Sequence, residues 1–319
     1  MAGRDPVSGA PSDGGGPAAQ APPAAPVFSA GLFLRLLGVP LIWGIAFVPG
    51  KLAVAGLPAG VAALGRYVMA SLSLLAAAWW LEGGLPRPRG RQWLGLAGLG
   101  LTGIAAYNLL MFKALESLTA SRTAMIVALS PALIAAGSAV FQGEKLRPHR
   151  WLGVALALFG AWIVLSHGDL GSLHMTLGPG EACMLGAVGC WVAYTLLSRR
   201  VLKNGLSILA STTWSSLLGT LMLMPVAALA WPQLGAGAQA AKPWLAVAFM
   251  GIFSTGIAFL WYADGILRIG PARTAVFTNL VPVFAVLSAW LFLGEVPGPS
   301  LMIGGAVTLA GVALVNRVK

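Results

Sequence analysis

The sequence predicts an all-α integral membrane protein with ten transmembrane helices, arranged as two inverted repeats of five helices each. Three observations support this prediction. The composition is too apolar for a soluble domain, the apolar runs are long enough to cross a bilayer, and one apolar motif occurs twice at a fixed spacing.

Hydrophobic residues make up 58% of the 319 residues and charged residues only 9%, with a mean hydropathy of +0.83. The net charge of +11 comes from short Lys and Arg clusters between apolar runs. Such clusters are typical of membrane orientation signals and not of a nucleic-acid surface. We therefore expect a lipid bilayer as partner, and no nucleic acid.

Ten apolar runs can each form a membrane-spanning helix of roughly 20 residues. Turn-forming Gly and Pro residues separate them. The predicted spans are 34–54, 59–81, 92–115, 119–141, 149–166, 180–198, 207–230, 244–267, 272–293 and 299–316. Residues 1–30 are rich in Ala, Pro and Gly without a periodic apolar stripe, which predicts a disordered cytoplasmic tail.

The loops alternate between basic and nearly uncharged. The basic loops hold Arg87, Arg89, Arg91, Lys145, Arg147, Arg150, Arg199, Arg200, Lys203 and Arg268, whereas the opposite loops have almost none beyond Lys242. The positive-inside rule then places both termini in the cytoplasm. We expect the chain to be a multi-pass protein of the cell's inner membrane.

The repeated motif reads RTAMIVALSPALIAAGSAVFQGE at 122–144 and RTAVFTNLVPVFAVLSAWLFLGE at 273–295, a shift of 151 residues. It divides the chain into repeats at 34–167 and 177–317. Five helices is an odd number, so the second repeat enters the membrane inverted. The matching prolines, Pro131 and Pro282, are hinge candidates, with a static kink as the alternative.

These residues resemble the drug/metabolite transporter superfamily, in particular its EamA-type ten-helix members. The resemblance rests on the duplicated order of motifs, which includes Trp43-Gly44, Lys51, Arg66, Tyr107, and the Pro131 and Pro282 helices with their Gly-Glu ends. It implies two bundles around a central pathway and secondary transport of small polar metabolites by alternating access. It also implies efflux of amino acids or related compounds, without a cofactor.

In inverted-repeat transporters the substrate site lies near the middle of the membrane, between the repeats. Polar and aromatic residues at that depth are therefore candidates for the substrate pathway. They are Trp43, Arg66, Asn108, Trp191, Tyr194, Trp214, Tyr262, Thr278 and Asn279. Asn and Thr also hold membrane helices together, and Trp and Tyr also form interfacial belts, so both alternatives stay open.

Arg66 is the candidate with the clearest chemistry, because an ionised residue inside an apolar span costs about 2.5–3.5 kcal/mol. It could attract a carboxylate or a phosphate; snorkelling or pairing with a carbonyl is the alternative. Glu181 begins the sixth predicted helix, where a carboxylate favours the helix dipole.

An enzyme is not expected, since the chain has no His-Glu-x-x-His motif and its three histidines fall in or near loops. Cys183 and Cys190 lack metal-ligand spacing, so no metal site is predicted. A flippase for a lipid-linked metabolite is the closer alternative. The small-residue stripe Gly153, Ala157 and Ala161 can pack within the chain or against a second copy, which leaves monomer and homodimer open.

Overall fold

The computed structural model describes residues 29–166, 178–202, 205–269 and 271–316, and within these ranges all regular structure is helical. We number the ten membrane-length segments in chain order. They are α1 (Ala30–Val54), α2 (Ala59–Glu82), α3 (Gln92–Ser117), α4 (Ala120–Gln142), α5 (Pro148–Leu165), α6 (Pro179–Val201), α7 (Ile208–Ala230), α8 (241–269), α9 (271–293) and α10 (Pro299–Val315).

Nine of the described segments are long and apolar enough to cross a membrane, and α10 is a shorter apolar helix of 17 residues. The predicted ten-helix membrane fold is confirmed. The predicted disordered tail lies outside the described residues, except for its last two positions.

The repeated Gly-Glu ends are helix C-caps with the same geometry. Gly143 after α4 and Gly294 after α9 adopt φ values of 69° and 67°, a left-handed conformation that glycine accepts without steric cost. The next residue then closes the cap. Glu144 N donates to Ser138 O at 3.3 Å and Glu295 N donates to Ala289 O at 3.2 Å. Each glycine therefore ends its helix and fixes the position of the carboxylate that follows it.

Both repeats also depart from regular helix in matching places. α4 is interrupted between Ala120–Val127 and Ser130–Gln142, and α9 between Pro271–Thr278 and Val281–Leu293. In each case a proline removes one backbone donor at the start of the second part. α3 and α8 instead contain π-helical stretches at Gly100–Ala106 and Met250–Ile257. The paired irregularities agree with two copies of one five-helix unit.

The last helices of the two repeats, α5 and α10, pack against each other through glycine. A Cβ on Gly153 would lie 2.7 Å from Gly311 O, and one on Gly304 would lie 2.6 Å from Gly160 O. Ala157 and Ala161 are buried in the same contact. Packing within the chain and packing against a second copy were the two alternatives for the small-residue stripe. The stripe packs within the chain, where it lets the helix backbones approach closely.

Large apolar side chains cover much of the outer surface. Trp80, Leu229 and Leu94 are 87%, 81% and 76% exposed, and the other large exposed side chains are also spread over the helices. Apolar exposure on this scale is incompatible with water as the only solvent, so the lipid bilayer is the medium of this surface.

Candidate functional site

A cavity of about 230 Å³ lies between the two repeats, and helices of both contribute to its walls. Six of the predicted pathway residues line it: Trp43, Arg66, Trp191, Tyr194, Thr278 and Asn279. Both hinge candidates, Pro131 and Pro282, also line it. The helix interruptions of α4 and α9 are therefore part of the cavity wall. The role of these residues in transport stays a prediction.

Arg66 is the charged residue among the described lining residues. Its Nη1 donates to Asn108 Oδ1 at 2.9 Å, and its guanidinium carbon lies 5.6 Å from the centroid of the Tyr67 ring. The Nε atom is buried and has no hydrogen-bond partner in the described structure. No Asp or Glu side chain lines the cavity in this part of the chain. A buried N–H donor without an acceptor, on a cation without a counter-charge, costs free energy unless a ligand accepts the hydrogen bond and neutralises the charge.

Asn108 does not line the cavity. It is fully buried behind Arg66, and its Nδ2 donates to Ile104 O at 2.8 Å and to Gly103 O at 3.4 Å. Both carbonyls belong to the π-helical stretch of α3. The amide is thus fixed by its own helix, and its oxygen holds the guanidinium at the cavity wall.

Aromatic side chains form a continuous surface on one side of the cavity. Tyr107 lies 5.3 Å from Trp191, and Trp191 stacks on Tyr194 at 5.1 Å between ring centroids. Gly103 leaves the space that Tyr194 fills, because a Cβ at Gly103 would overlap the ring. On the α1 side, Trp43 Nε1 donates to Ser254 O at 2.8 Å. These rings offer flat apolar faces to a bound molecule.

Three serine hydroxyls add polarity to these walls. Ser130, Ser216 and Ser254 all line the cavity, and their Oγ atoms are buried without a hydrogen-bond partner in the described structure. A buried hydroxyl that faces a cavity can give and accept a hydrogen bond. The sequence contained a signal for Ser216 alone, in the polar run Ser211–Ser216 of α7, whereas Ser130 and Ser254 stand among apolar neighbours.

Trp214 and Tyr262 lie outside the cavity lining. Trp214 Nε1 donates to Pro86 O at 2.8 Å, and its ring meets Trp93 at 4.9 Å, so it anchors the loop before α3. Tyr262 packs behind Trp43 at 5.4 Å. Asn279 is at the lining and accepts a hydrogen bond from Asn316 Nδ2 at 3.3 Å.

The end of the cavity opposite the basic loops is closed by contacts between the repeats. The carboxylate of Glu295 accepts hydrogen bonds from Ala120 N and Ser121 N, both at 2.9 Å, and from Ser121 Oγ at 2.8 Å. It therefore caps the first turn of α4. Glu181 is 8% exposed, and its Oε1 lies 3.1 Å from Arg122 Nε.

This finding extends the sequence interpretation of Glu181. Glu181 was interpreted as a favourable charge at its own helix end, yet its ion pair joins α6 to α4. Below these contacts Phe47, Ala124 and Ala285 form an apolar cluster with Ala120 and Ala289. Among the described residues, no group of three His, Cys, Asp or Glu side chains could hold a metal ion.

Comparison with known proteins gives the same class as the fold. A model of the EamA-like transporter family matches residues 30–166 and again 178–317. The chain is 26% identical over 292 residues to the uncharacterized transporter YyaM of Bacillus subtilis, which covers 90% of this chain and 95% of the relative. A crystal structure of a protein with 23% identity superposes with a TM-score of 0.61 over 89% of this chain and 96% of the other.

Two further relatives carry names that specify a substrate. The probable terminal-alkyne amino-acid exporter of Streptantibioticus cattleyicolor is 29% identical over 280 residues, covering 86% of this chain and 90% of that one. The aromatic amino acid exporter YddG of Ancylobacter novellus is 27% identical over 221 residues, with 67% and 73% coverage. Fold and relatives together define a multi-pass membrane transporter. The chain belongs to the EamA-like transporter family, and the resemblance seen in its motifs is confirmed.

Proposed function

We propose that this transporter exports amino acids or related carboxylate-bearing metabolites by alternating access. The observation that carries the proposal is Arg66, a cation at the cavity wall whose buried Nε lacks a partner while the described lining supplies no carboxylate. A substrate carboxylate would neutralise this charge and accept its hydrogen bonds. The cost of keeping an arginine at this depth is then offset whenever substrate is bound.

The remaining walls favour a small, partly apolar substrate. The rings of Tyr107, Trp191 and Tyr194 offer stacking surfaces, and the serine hydroxyls can bind a second polar group. The printed names of two relatives, both amino-acid exporters, support this class. A cavity of about 230 Å³ lies below the roughly 300–1,000 Å³ typical of drug-sized pockets. This volume favours a free metabolite over the head group of a lipid-linked one.

The helix interruptions supply the moving parts in this proposal. Pro131 and Pro282 stand at matching breaks in the cavity wall, where each half of α4 and α9 can tilt separately. The Glu295 cap and the Arg122–Glu181 pair close one end. With the basic loops in the cytoplasm, as the positive-inside rule predicts, this closed end faces outward and the chain stands in the inner membrane with both termini inside.

Counterflow in proteoliposomes tests the proposal. Vesicles loaded with pooled unlabelled amino acids are diluted into a solution of labelled amino acids. Uptake of the label is followed for the parent, for Arg66→Gln and for the exposed loop variant Arg87→Gln. We expect uptake by the parent and by Arg87→Gln, and its loss in folded Arg66→Gln. Absence of uptake by the parent across all amino acids would overturn the substrate class, and lipid-linked compounds would be tested next.

A further inference from the structure

A second concavity, of about 650 Å³, opens at the membrane surface between the start of α3 and the end of α6. Three arginines line it, Arg89, Arg91 and Arg200, and Arg200 Nη2 also donates to Phe141 O at 3.4 Å. Its apolar walls are Leu94, Leu197 and Val201. We call it the arginine groove. We propose that the arginine groove binds the head group of an anionic phospholipid.

The charge of the groove is not neutralised within the described structure. The carboxylates described on this face are Glu82, Glu144 and Asp264, and each has another partner: Ser207, Arg199, and the pair Arg35 and Arg268. No carboxylate lines the groove itself in the described ranges. Three arginines around one concavity therefore present several donors and a net positive charge to a single phosphate.

The position of the groove selects a lipid over a soluble anion. Leu94, directly after the basic loop, is 76% exposed, and Leu101, seven residues further along α3, is 52% exposed. Residues seven apart lie on one helix face, so an apolar track runs from the arginines along α3 into the bilayer. A phosphate bound by the arginines would place its acyl chains on this track. Basic pockets between helix ends at the membrane surface are known to suit such head groups.

The groove is held in shape without a ligand. Gly95 has no side chain, so Val201 packs close to α3, and a Cβ on Gly95 would lie 2.7 Å from Val201 Cγ2. Trp214 Nε1 holds the loop through Pro86 O, and Gln92 Oε1 accepts a hydrogen bond from Arg89 N at 2.7 Å. The Trp93–Trp214 pair beside the loop is typical of the interfacial belt, which marks head-group height.

Native mass spectrometry of the full-length protein in neutral detergent tests this site. The probes are dioleoyl phosphatidylglycerol, dioleoyl phosphatidylcholine with the same chains, and soluble glycerol 3-phosphate. The groove variant is Arg89→Gln/Arg91→Gln/Arg200→Gln, and the matched control is Lys145→Gln/Arg147→Gln/Arg150→Gln, which removes the same charge from another basic loop. A third variant with lysine at the three groove positions keeps the charge and checks folding.

We expect the parent to bind phosphatidylglycerol more tightly than phosphatidylcholine. Each guanidinium near the surface accounts for about fivefold in affinity, so the glutamine groove variant should lose on the order of 100-fold. The control triple should lose less than about fivefold, and the lysine variant should keep the lipid preference. Equal losses in both glutamine triples would overturn the proposal, because they indicate diffuse surface charge. Equal binding of phosphatidylcholine or of glycerol 3-phosphate would overturn it as well.

Discussion

Replacing Glu295 by glutamine is expected to open the cavity at the end opposite the basic loops. The carboxylate accepts three hydrogen bonds from the first turn of α4, at 2.8–2.9 Å, and it belongs to the other repeat. Phe47 and Ala124 pack beneath this contact. If the turn is released, the apolar cluster can separate and the cavity becomes accessible from that side.

The size of the effect follows from the lost contacts. Hydrogen bonds to a charged group contribute about 1.5–3 kcal/mol each. Glutamine keeps one acceptor oxygen but presents an amide donor to the other N–H donors, and it loses the favourable charge at a helix N-terminus, about 0.3–1 kcal/mol. The loss of one hydrogen bond already shifts the equilibrium between closed and open forms about tenfold.

Labelling of a single cysteine by a membrane-impermeant maleimide in intact cells measures this shift. The reporter is Val127→Cys at the cavity wall, in a background where Cys183 and Cys190 are replaced by alanine. We expect Glu295→Gln to label at least about tenfold faster than the parent. The control is Glu116→Gln, whose Oε1 accepts a hydrogen bond from Ala59 N in its own repeat at 3.3 Å. Unchanged labelling in Glu295→Gln, or an equal increase in Glu116→Gln, would refute the reasoning.

Three further substitutions test other contacts. Asn108→Asp keeps an acceptor for Arg66 but neutralises it, so counterflow of carboxylate substrates should fall about tenfold or more; amides of the same amino acids should be little affected, and an equal fall for both would contradict the role. Arg122→Gln leaves the buried Glu181 carboxylate without its ion-pair partner. It should lower the free energy of unfolding in detergent by about 3–5 kcal/mol. Adding Glu181→Gln should restore part of it, and no recovery would dismiss the pair. Glu144 occupies the position in the first repeat that Glu295 occupies in the second. By this symmetry its carboxylate closes the opposite end of the cavity when the outer end opens, so Glu144→Gln should slow labelling of the Val127→Cys reporter from outside. Faster labelling would contradict this symmetry.

The fold could be predicted because length and hydropathy alone determine which segments cross a bilayer. Helix ends came within a few residues, as for α1, which begins at Ala30 against the predicted 34. The inverted repeat followed from the spacing of Pro131 and Pro282 and from an odd helix number. The interruptions of α4 and α9 fall at these two prolines, which the sequence marked as hinges or kinks. The π-helical stretches were not readable, since they depend on backbone hydrogen bonds and not on composition.

The sequence indicated how deep in the membrane the site residues lie, but not which way their side chains face. Arg66 and Asn108 both lie deep within their helices, yet the first borders the cavity and the second lies behind it. In a helix that is apolar all round, the 3.6-residue period gives no contrast between faces, so facing cannot be inferred. Ser130 and Ser254 were missed for the same reason. The partners of Glu295 lie 174 and 175 residues away in the chain, beyond any local pattern.

The two Gly-Glu motifs show how one sequence element acquires two roles. Gly143 and Gly294 have nearly the same φ, and the residues after them close the same backbone hydrogen bond. The carboxylates nevertheless differ: Glu295 caps a helix of the other repeat, whereas Glu144 pairs with Arg199 at 2.8 Å. The local backbone geometry is nearly the same, so we attribute the difference to the position of the opposing repeat. Under the alternating access that we propose, exchange of these two environments would open the closed end of the cavity and close the opposite end.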